Sequence, residues 1–484
     1  MSTFRPVTRI KSPTRTEHDM TTEPGVAGLQ ARTQAELAPR LMVQLQRLNW
    51  DADRLAAHQA ERLRALLARA IQGSPFHARR LGHIDPARFE LADLRRLPTM
   101  TKAEMMASFD EVVTDRRLTR RRVEDHLHGG GRQAALLLGD YVCLTTGGSS
   151  GQRGVFVQTI GEYADMAASL RRNTIARQLA AGRSPDGMVI AMVAAAAPVH
   201  TSGFVAAATG GGPVQMVPVP VTVPLAEAVG RLNAAQPAVL IGYPSRLAQL
   251  AAEQRAGRLR IAPQSVAGTG AMLTDATRAA ITAGFGVPVI NSFACTEGLT
   301  GTSEPGEPAL TFATDLCIAE LVDARGEPVP AGTPSAKVLI TNLHNLTQPL
   351  IRYELTDSFT ARPGTEPGGY LRATVQGRDD GMLRYGRVGI HALAVDAVLA
   401  SSAPVTEYQV RQTGRGIDVA VVAAGGLDQA ALAAALAGAL RRAGLPDPEV
   451  TLRVVAAIAR RPDTGKARRF IPSGDDAGTQ SEEG

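Results

Sequence analysis

Five short stretches combine residue types suited to phosphate and carboxylate chemistry. The first, TTGGSSGQRG at 145–154, packs four glycines and four hydroxyl residues into ten positions between the apolar runs YVCL and VFV. Such a loop can turn several backbone N–H groups toward one point with no Cβ in the way, as a phosphate cradle requires. Taken alone, a β-hairpin turn explains it as well, and neither a Gly-Lys-Ser/Thr ending nor a G-x-G-x-x-G pattern is present. NSFACTEG at 291–298 puts Thr296 and Glu297 just after an apolar run, where loops at strand ends carry ligands. PLIRYELTDSF at 349–359 brings Asp357, a carboxylate suited to accepting from two hydroxyls or to capping a turn. GRDDGMLRYG at 377–386 supplies Arg378 and an acidic pair that includes Asp380, and RPDTGKARRF at 461–470 presents Lys466 in a basic turn.

Elements that could position these residues are legible in the periodicity. Leucines and alanines at helical spacing run from about 36 to 73, ending at Gly73 before Pro75. From about 139 to 380, apolar or β-branched runs (GMVIAMVAA, PAVLIGY, VPVINSF, AKVLITNL) alternate with helical stretches such as TDATRAAITAGF, the pattern of layered α/β architecture. After Gly381 a strand, the helix DQAALAAALAGALRRAG at 428–444 and the run EVTLRVVAAI at 449–458 suit a small α+β domain with its own core. Residues 1–35 and 473–484 lack periodicity and are polar, so both ends are expected to be disordered tails flanking a large domain at 36–380 and a small one at 381–472.

Composition narrows the function classes. The 484 residues are 44% hydrophobic, enough for more than one core. The longest apolar run, at 187–199, is too short to span a bilayer, and no apolar stretch follows the basic N-terminal residues, so a soluble, cytoplasmic protein is expected, with no membrane partner. Cys143, Cys295 and Cys317 are far apart and odd in number, and are expected as free thiols. The net charge of +6 is a mild excess, and RRLTRRR at 116–122 has no interleaved aromatics, so it is a solvated face and no nucleic-acid partner is expected.

The five stretches occur in a fixed order, and together they carry a specific resemblance. The chain resembles the adenylate-forming enzymes, where the first loop reads approximately Thr-Ser-Gly-Ser/Thr-Thr-Gly-Lys-Pro and is matched by Thr146, Gly147, Gly148, Ser149, Ser150 and Gly151. The Tyr-Gly-x-Thr-Glu motif is matched by FACTE, Tyr-Arg-Thr-Gly-Asp by YELTD, Gly-Arg-x-Asp by GRDD and the terminal Ser/Thr-Gly-Lys by TGK. ARAIQGSPFHARRLG, LADLRRLPTMTKAEM and QPLIRY further resemble the phenylacetate–CoA ligase branch. The similarity runs in order over about residues 40–471.

The resemblance implies an α/β fold: a large layered N-terminal domain of β-sheets with flanking helices, and a small mobile α+β C-terminal domain. It implies binding of ATP phosphates by Thr146, Gly148, Ser149, Ser150 and Gly151, of magnesium by Glu297, and of the α-phosphate by Thr296. Gly270, Ala271, Asn291 and Phe293 would flank adenine, although a buried Phe293 could equally be core. Asp357 would accept from the ribose hydroxyls with Arg378 assisting, and Asp380 would be the hinge between domains. Tyr243, Gly268 and Ala294 would line the acid pocket, with His200 gating thiol entry or, as a single histidine, serving the core. Lys466 would stabilise charge on the carboxylate and α-phosphate as pyrophosphate leaves.

The implied activity is adenylation of a carboxylic acid, aryl or arylacetic by branch, followed by transfer to a thiol, coenzyme A being the first expectation. Relatives that activate other acids, nitrite included, or use an amine or a carrier protein as acceptor give the alternative. Homodimerisation is compatible with the family, and the sequence is silent on it. Departures are Gln152 and Arg153 for the usual Lys-Pro, Phe293-Ala294 for Tyr-Gly, and Glu354 and Leu355 within YELTD. Several relatives carry a Cys/His cluster after the Thr-Glu motif; residues 298–317 hold no His and only Cys317, so no structural zinc is expected.

Removing the Lys466 ammonium should cost acid-dependent pyrophosphate release on the order of 10²-fold, the scale of one lost preorganised donor. Unchanged release by Lys466→Ala would remove this residue from the chemistry.

Overall fold

The computed structural model describes residues 26–129, 135–146, 154–184, 187–194, 201–208, 214–271, 273–355, 357–363, 369–376, 382–386, 388–402, 404–423, 426–458 and 470–471. Helices come first: α1 (Val26–Arg47), α2 (Ala52–Gly73), α3 (Pro75–Leu81), α4 (Lys102–Ala107), α5 (Phe109–Val112) and α6 (Arg120–Gly129). Helical structure therefore begins at Val26, ten residues inside the segment expected as a tail. Leu29, Thr33 and Leu37 are buried, and this apolar stripe anchors a turn that composition alone marks as polar. The α2 end is as its sequence implies: Ser74 closes α2 and caps α3, its side chain accepting from His77 N at 3.2 Å, with Pro75 at the first helical position.

The hairpin β1 (Tyr141–Thr145) and β2 (Val155–Thr159) follows, then α7 (Ile160–Ala180). Alternating units come next: β3 (Val189–Ala194), α8 (Thr201–Ala208), β4 (Gln215–Pro220), α9 (Leu225–Ala235), β5 (Val239–Gly242), α10 (Pro244–Arg255), β6 (Ser265–Thr269), α11 (Asp275–Phe285) and β7 (Val289–Ala294). The chain then runs through β8 (Thr300–Ser303), β9 (Leu310–Phe312), β10 (Cys317–Val322), β11 (Lys337–Asn342), β12 (Tyr353–Leu355), β13 (Ser358–Ala361) and β14 (Arg372–Gln376).

Strands β3 to β7 pair in parallel and run as near-continuous apolar stretches, because helices cover a parallel sheet on both faces. They join a nine-stranded sheet in the order β13-β14-β9-β8-β7-β6-β5-β3-β4. Pro218 and Pro220 lie on β4, at an edge where a missing N–H removes no ladder bond from a second neighbour. The order reverses between β3 and β5, the switch point at which open α/β sheets leave a crevice beyond their C-terminal ends.

The rest of the chain comprises β15 (Met382–Tyr385), β16 (Val388–His391), α12 (Leu393–Ser401), β17 (Val405–Gln412), β18 (Gly416–Ala423), α13 (Gln429–Arg442), β19 (Glu449–Val454) and β20 (Phe470–Ile471). Its core of Leu383, Val395, Tyr408, Val419, Leu436 and their neighbours draws only on residues from 383 to 470.

One buried ionic contact ties the N-terminal helix to the sheet region. Asp315, fully buried between β9 and β10, receives both terminal nitrogens of Arg172 on α7 at 2.8 Å, and Arg47 at the end of α1 at 3.3 Å. Burial pushes the Asp315 carboxyl up, but the two guanidiniums overcome it and hold the group below the usual carboxylate range. Arg172→Met leaves that carboxylate buried against Arg47 alone, so stability should fall by about 3–5 kcal/mol. Urea unfolding followed by circular dichroism checks this, and an unchanged midpoint would show that the pair holds nothing together.

Candidate functional site

Register brings the C-terminal ends of three parallel strands level, with Gly242 of β5 beside Gly268 of β6, and Gly268 beside Asn291 of β7. Just beyond them stand Tyr243, Gly270 with Ala271, and the Phe293-Ala294 end of β7. Gly270 has φ +76°, and a Cβ there would lie 2.3 Å from Tyr243 Cε1, so the buried Tyr243 ring occupies space that any side chain at 270 would take. Asn291 is fixed by its backbone N–H, which donates to Ser303 Oγ at 2.8 Å.

The Thr-Glu pair sits in a tight turn between β7 and the antiparallel β8. Cys295 N donates to Leu299 O, and Gly298 N to Cys295 O, both at 3.0 Å. Gly298 has φ +113°, and a Cβ there would meet Asn342 Nδ2 at 2.1 Å. That amide instead donates to Glu297 O at 2.8 Å, clamping the turn to the end of β11. Glu297 is 6% exposed, and the ammonium of Lys102, first residue of α4, stands 4.0 Å from its Oε1.

Asp357, 7% exposed, lies between β12 and β13. Burial, then Glu297 and Cys317, and last Asp357, push the Cys295 thiol well above its ordinary value, against the lowering effect of its hydrogen bond with Leu299. Burial and then Glu297 do the same to the Tyr353 phenol. Both carboxylates are buried, the kind of surround in which a charged ligand is felt most strongly.

The glycine-rich loop is closed at its base by Thr146, whose N–H donates to Gly154 O and whose Oγ1 accepts from Gly154 N, both at 3.0 Å. Gly148, Ser149, Ser150, Gly151, His200, Arg378, Asp380 and Lys466 lie outside the described residues. Phe293 packs edge-on against Phe312 and Phe359, centroids 5.7 and 5.4 Å away, so one side of its ring belongs to the core. Among the described residues no group of three His, Cys, Asp or Glu is placed to hold a metal ion. A single buried carboxylate such as Glu297 fits a hard cation whose other ligands are phosphate oxygens and water.

Several positioning residues escaped the sequence reading. Gln348 accepts from Val157 N at 2.8 Å and donates to Val155 O at 3.2 Å, while Asn345 Nδ2 donates to Val157 O at 3.1 Å. Glu162 accepts from Thr159 N at 2.7 Å, capping α7, and from Leu346 N and Thr347 N at 2.7 and 3.0 Å. The signal was a cluster of amides, Asn342, Asn345 and Gln348, spaced at three residues just after the apolar run VLI. Lys102 lay in a stretch read only for its resemblance. Glu354 pairs with Lys337 at 2.8 Å across β11 and β12, so this departure from the motif is an ion pair of the three-stranded sheet.

No family model matches the chain, and no curated protein matches it. Solved structures do. An open conformation of 2-hydroxyisobutyryl-CoA ligase in complex with 2-HIB-AMP and CoA is 19% identical, with a TM-score of 0.55 over 88% of this chain and 93% of that one. The same ligase with these two ligands in its thioesterification state is 18% identical, with a TM-score of 0.57 over 88% and 91%. In its postadenylation state the values are 18%, 0.55, 89% and 92%. The chain therefore shares its mixed α/β fold with 2-hydroxyisobutyryl-CoA ligase.

Gly298→Ala would force a strained φ and a clash with Asn342, so stability should fall by about 1–3 kcal/mol in urea unfolding. Gly286→Ala, where φ is +72° but no atom lies within 4 Å of the added Cβ, should lose less. Equal losses would mean that the clamp on the acidic turn contributes nothing.

Proposed function

We propose that this protein is an enzyme that activates a carboxylic acid with ATP, forming an acyl-adenylate and pyrophosphate, and then passes the acyl group to the thiol of coenzyme A. The observation that carries the reading is buried Glu297, held by Asn342 in the turn that follows β7, whose C-terminal end stands level with those of β5 and β6. A fold shared with a ligase solved with an adenylate and CoA supports it.

The chemistry asks for alignment and charge neutralisation rather than a protein nucleophile. A carboxylate is a poor electrophile and AMP a good leaving group. Glu297 would hold Mg²⁺, which bridges phosphate charge when bound, with Lys102 as a further cation at the same carboxylate. Thr296 would meet the α-phosphate, Asp357 would accept from the ribose hydroxyls beside Arg378, and the loop from Thr146 through Gly151 would close over the outer phosphates. Gly270, Ala271, Asn291 and Phe293 would flank adenine, and Tyr243, Gly268 and Ala294 would line the acid pocket with His200. Lys466 would reach the reacting carboxylate from the small C-terminal domain, which would turn about Asp380. An aryl or arylacetic acid is the first substrate class on the branch resemblance, with a carrier protein or an amine as alternative acceptors.

Acid-dependent exchange of labelled pyrophosphate into ATP tests the reading across aryl acids, short-chain acids and nitrite. Exchange with at least one carboxylic acid, followed by thioester formation on adding coenzyme A, is expected. ATP binding without exchange under any acid would make the chain a nucleotide-binding regulator instead, and exchange with nitrite alone would replace the substrate class.

A further inference from the structure

Three arginines are buried among the described residues, and they differ in what they meet. Arg172 is held by both oxygens of Asp315 at 2.8 Å, and Arg352 by both oxygens of Glu320 at 3.0 Å. Arg246, on the first turn of α10, is 5% exposed and has no carboxylate within 4.0 Å among the described residues. Of the five N–H donors a guanidinium carries, two are engaged, with Gln249 Oε1 at 2.9 Å and Val223 O at 2.5 Å. Its Nε has no partner, and neither has the neighbouring Ser245 Oγ. Burial alone lowers the guanidinium to about 10.

An unpaired buried cation is among the costlier features a fold can carry. The position is also specific. Arg246 follows Tyr243 by three residues at the end of β5, beside the reversal in strand order, where Tyr243 packs with Ala194 and Val221. The carbonyl it holds, Val223 O, lies two residues beyond Val221. A planar guanidinium with open donors suits a carboxylate's two oxygens better than any neutral group does.

We propose that Arg246 reads a second anionic group on the substrate, so that the acid activated is one bearing a second carboxylate away from the one that reacts. The inference rests on the adenylation reading for the identity of the ligand. It redefines the substrate class by charge rather than by ring, as acids, aromatic or aliphatic, that carry two carboxylates.

The test compares matched pairs, 4-carboxyphenylacetate with phenylacetate and glutarate with butyrate, in pyrophosphate exchange by wild type, Arg246→Met and Arg246→Lys. Wild type should favour the diacid of at least one pair by roughly 10- to 100-fold in kcat/KM, the scale of a charge-assisted hydrogen bond. Arg246→Met should bring that ratio near one, and Arg246→Lys should restore part of it. A thermal shift with each diacid supplies a readout independent of turnover: the melting temperature should rise for wild type and not for Arg246→Met. No preference in wild type, or a preference that Arg246→Met leaves intact, overturns the inference, as does an equal loss with both members of a pair. If wild type exchanges with no acid at all, the adenylation reading fails separately. The thermal shift then decides this inference alone, its presence in wild type and loss in Arg246→Met supporting it and any other result overturning it.

Discussion

A seven-residue segment, from Asn342 to Gln348, is the constraint on which the candidate site depends. At its start, Asn342 donates to Glu297 O and so fixes the turn that carries the buried carboxylate. At its end, Asn345 and Gln348 bond the backbone of β2 through their side chains, in place of a neighbouring strand. The two parts of the site, an acidic turn on the large sheet and a glycine-rich loop on a separate hairpin, share no ladder of backbone bonds. Their relative position is set by three amides, with Glu162 holding the backbone of residues 346 and 347. Asn342 Oδ1 also accepts from Asn345 N at 3.0 Å, which makes the segment one connected network rather than two clamps. Buried polar networks of this kind specify a geometry because each unsatisfied member is costly.

What the sequence revealed of the architecture follows from which interactions are local. The parallel strands were legible because burial on both faces makes each one a continuous apolar run, and helix α11 because Thr274 and Gly286 bound it with a cap and a left-handed stop. The start of α1 was not, because its stripe of Leu29, Thr33 and Leu37 is set in polar company and is buried only by tertiary packing, on α7, α8 and β1. The site divides the same way. Motif order singles out Glu297, Asp357 and Thr146 in the sequence, whereas Lys102 comes from a helix almost two hundred residues earlier, brought near Glu297 only by the fold. Asn342, Asn345 and Gln348 act through backbone atoms of distant strands, a relation with no sequence period.

The electrostatics of the site follow from where the carboxylates sit. Glu297 and Asp357 are both more than nine-tenths buried, yet the cation facing Glu297 stands at 4.0 Å rather than in a close bidentate pair. Asp315, by contrast, is neutralised by two guanidiniums and serves the fold. A rigid carboxylate in an apolar surround, as Glu297 is with the Lys102 ammonium at 4.0 Å, retains its attraction for a ligand cation. The backbone clamp on the Glu297 turn suits that task, since preorganised charge need not reorganise when a ligand arrives.

The departures from the family motifs look at first like signs of altered chemistry, and their surroundings separate them. Glu354 alternates outward on β12 and pairs with Lys337, so its charge belongs to the three-stranded sheet. Phe293, in place of the usual tyrosine, joins a ring cluster with Phe312 and Phe359, where a hydroxyl pointed at the core would need a partner. Structural packing accounts for both. The feature that packing does not account for lies at the other end of the row of strands, where Arg246, three residues after Tyr243, is buried with no counter-ion among the described residues.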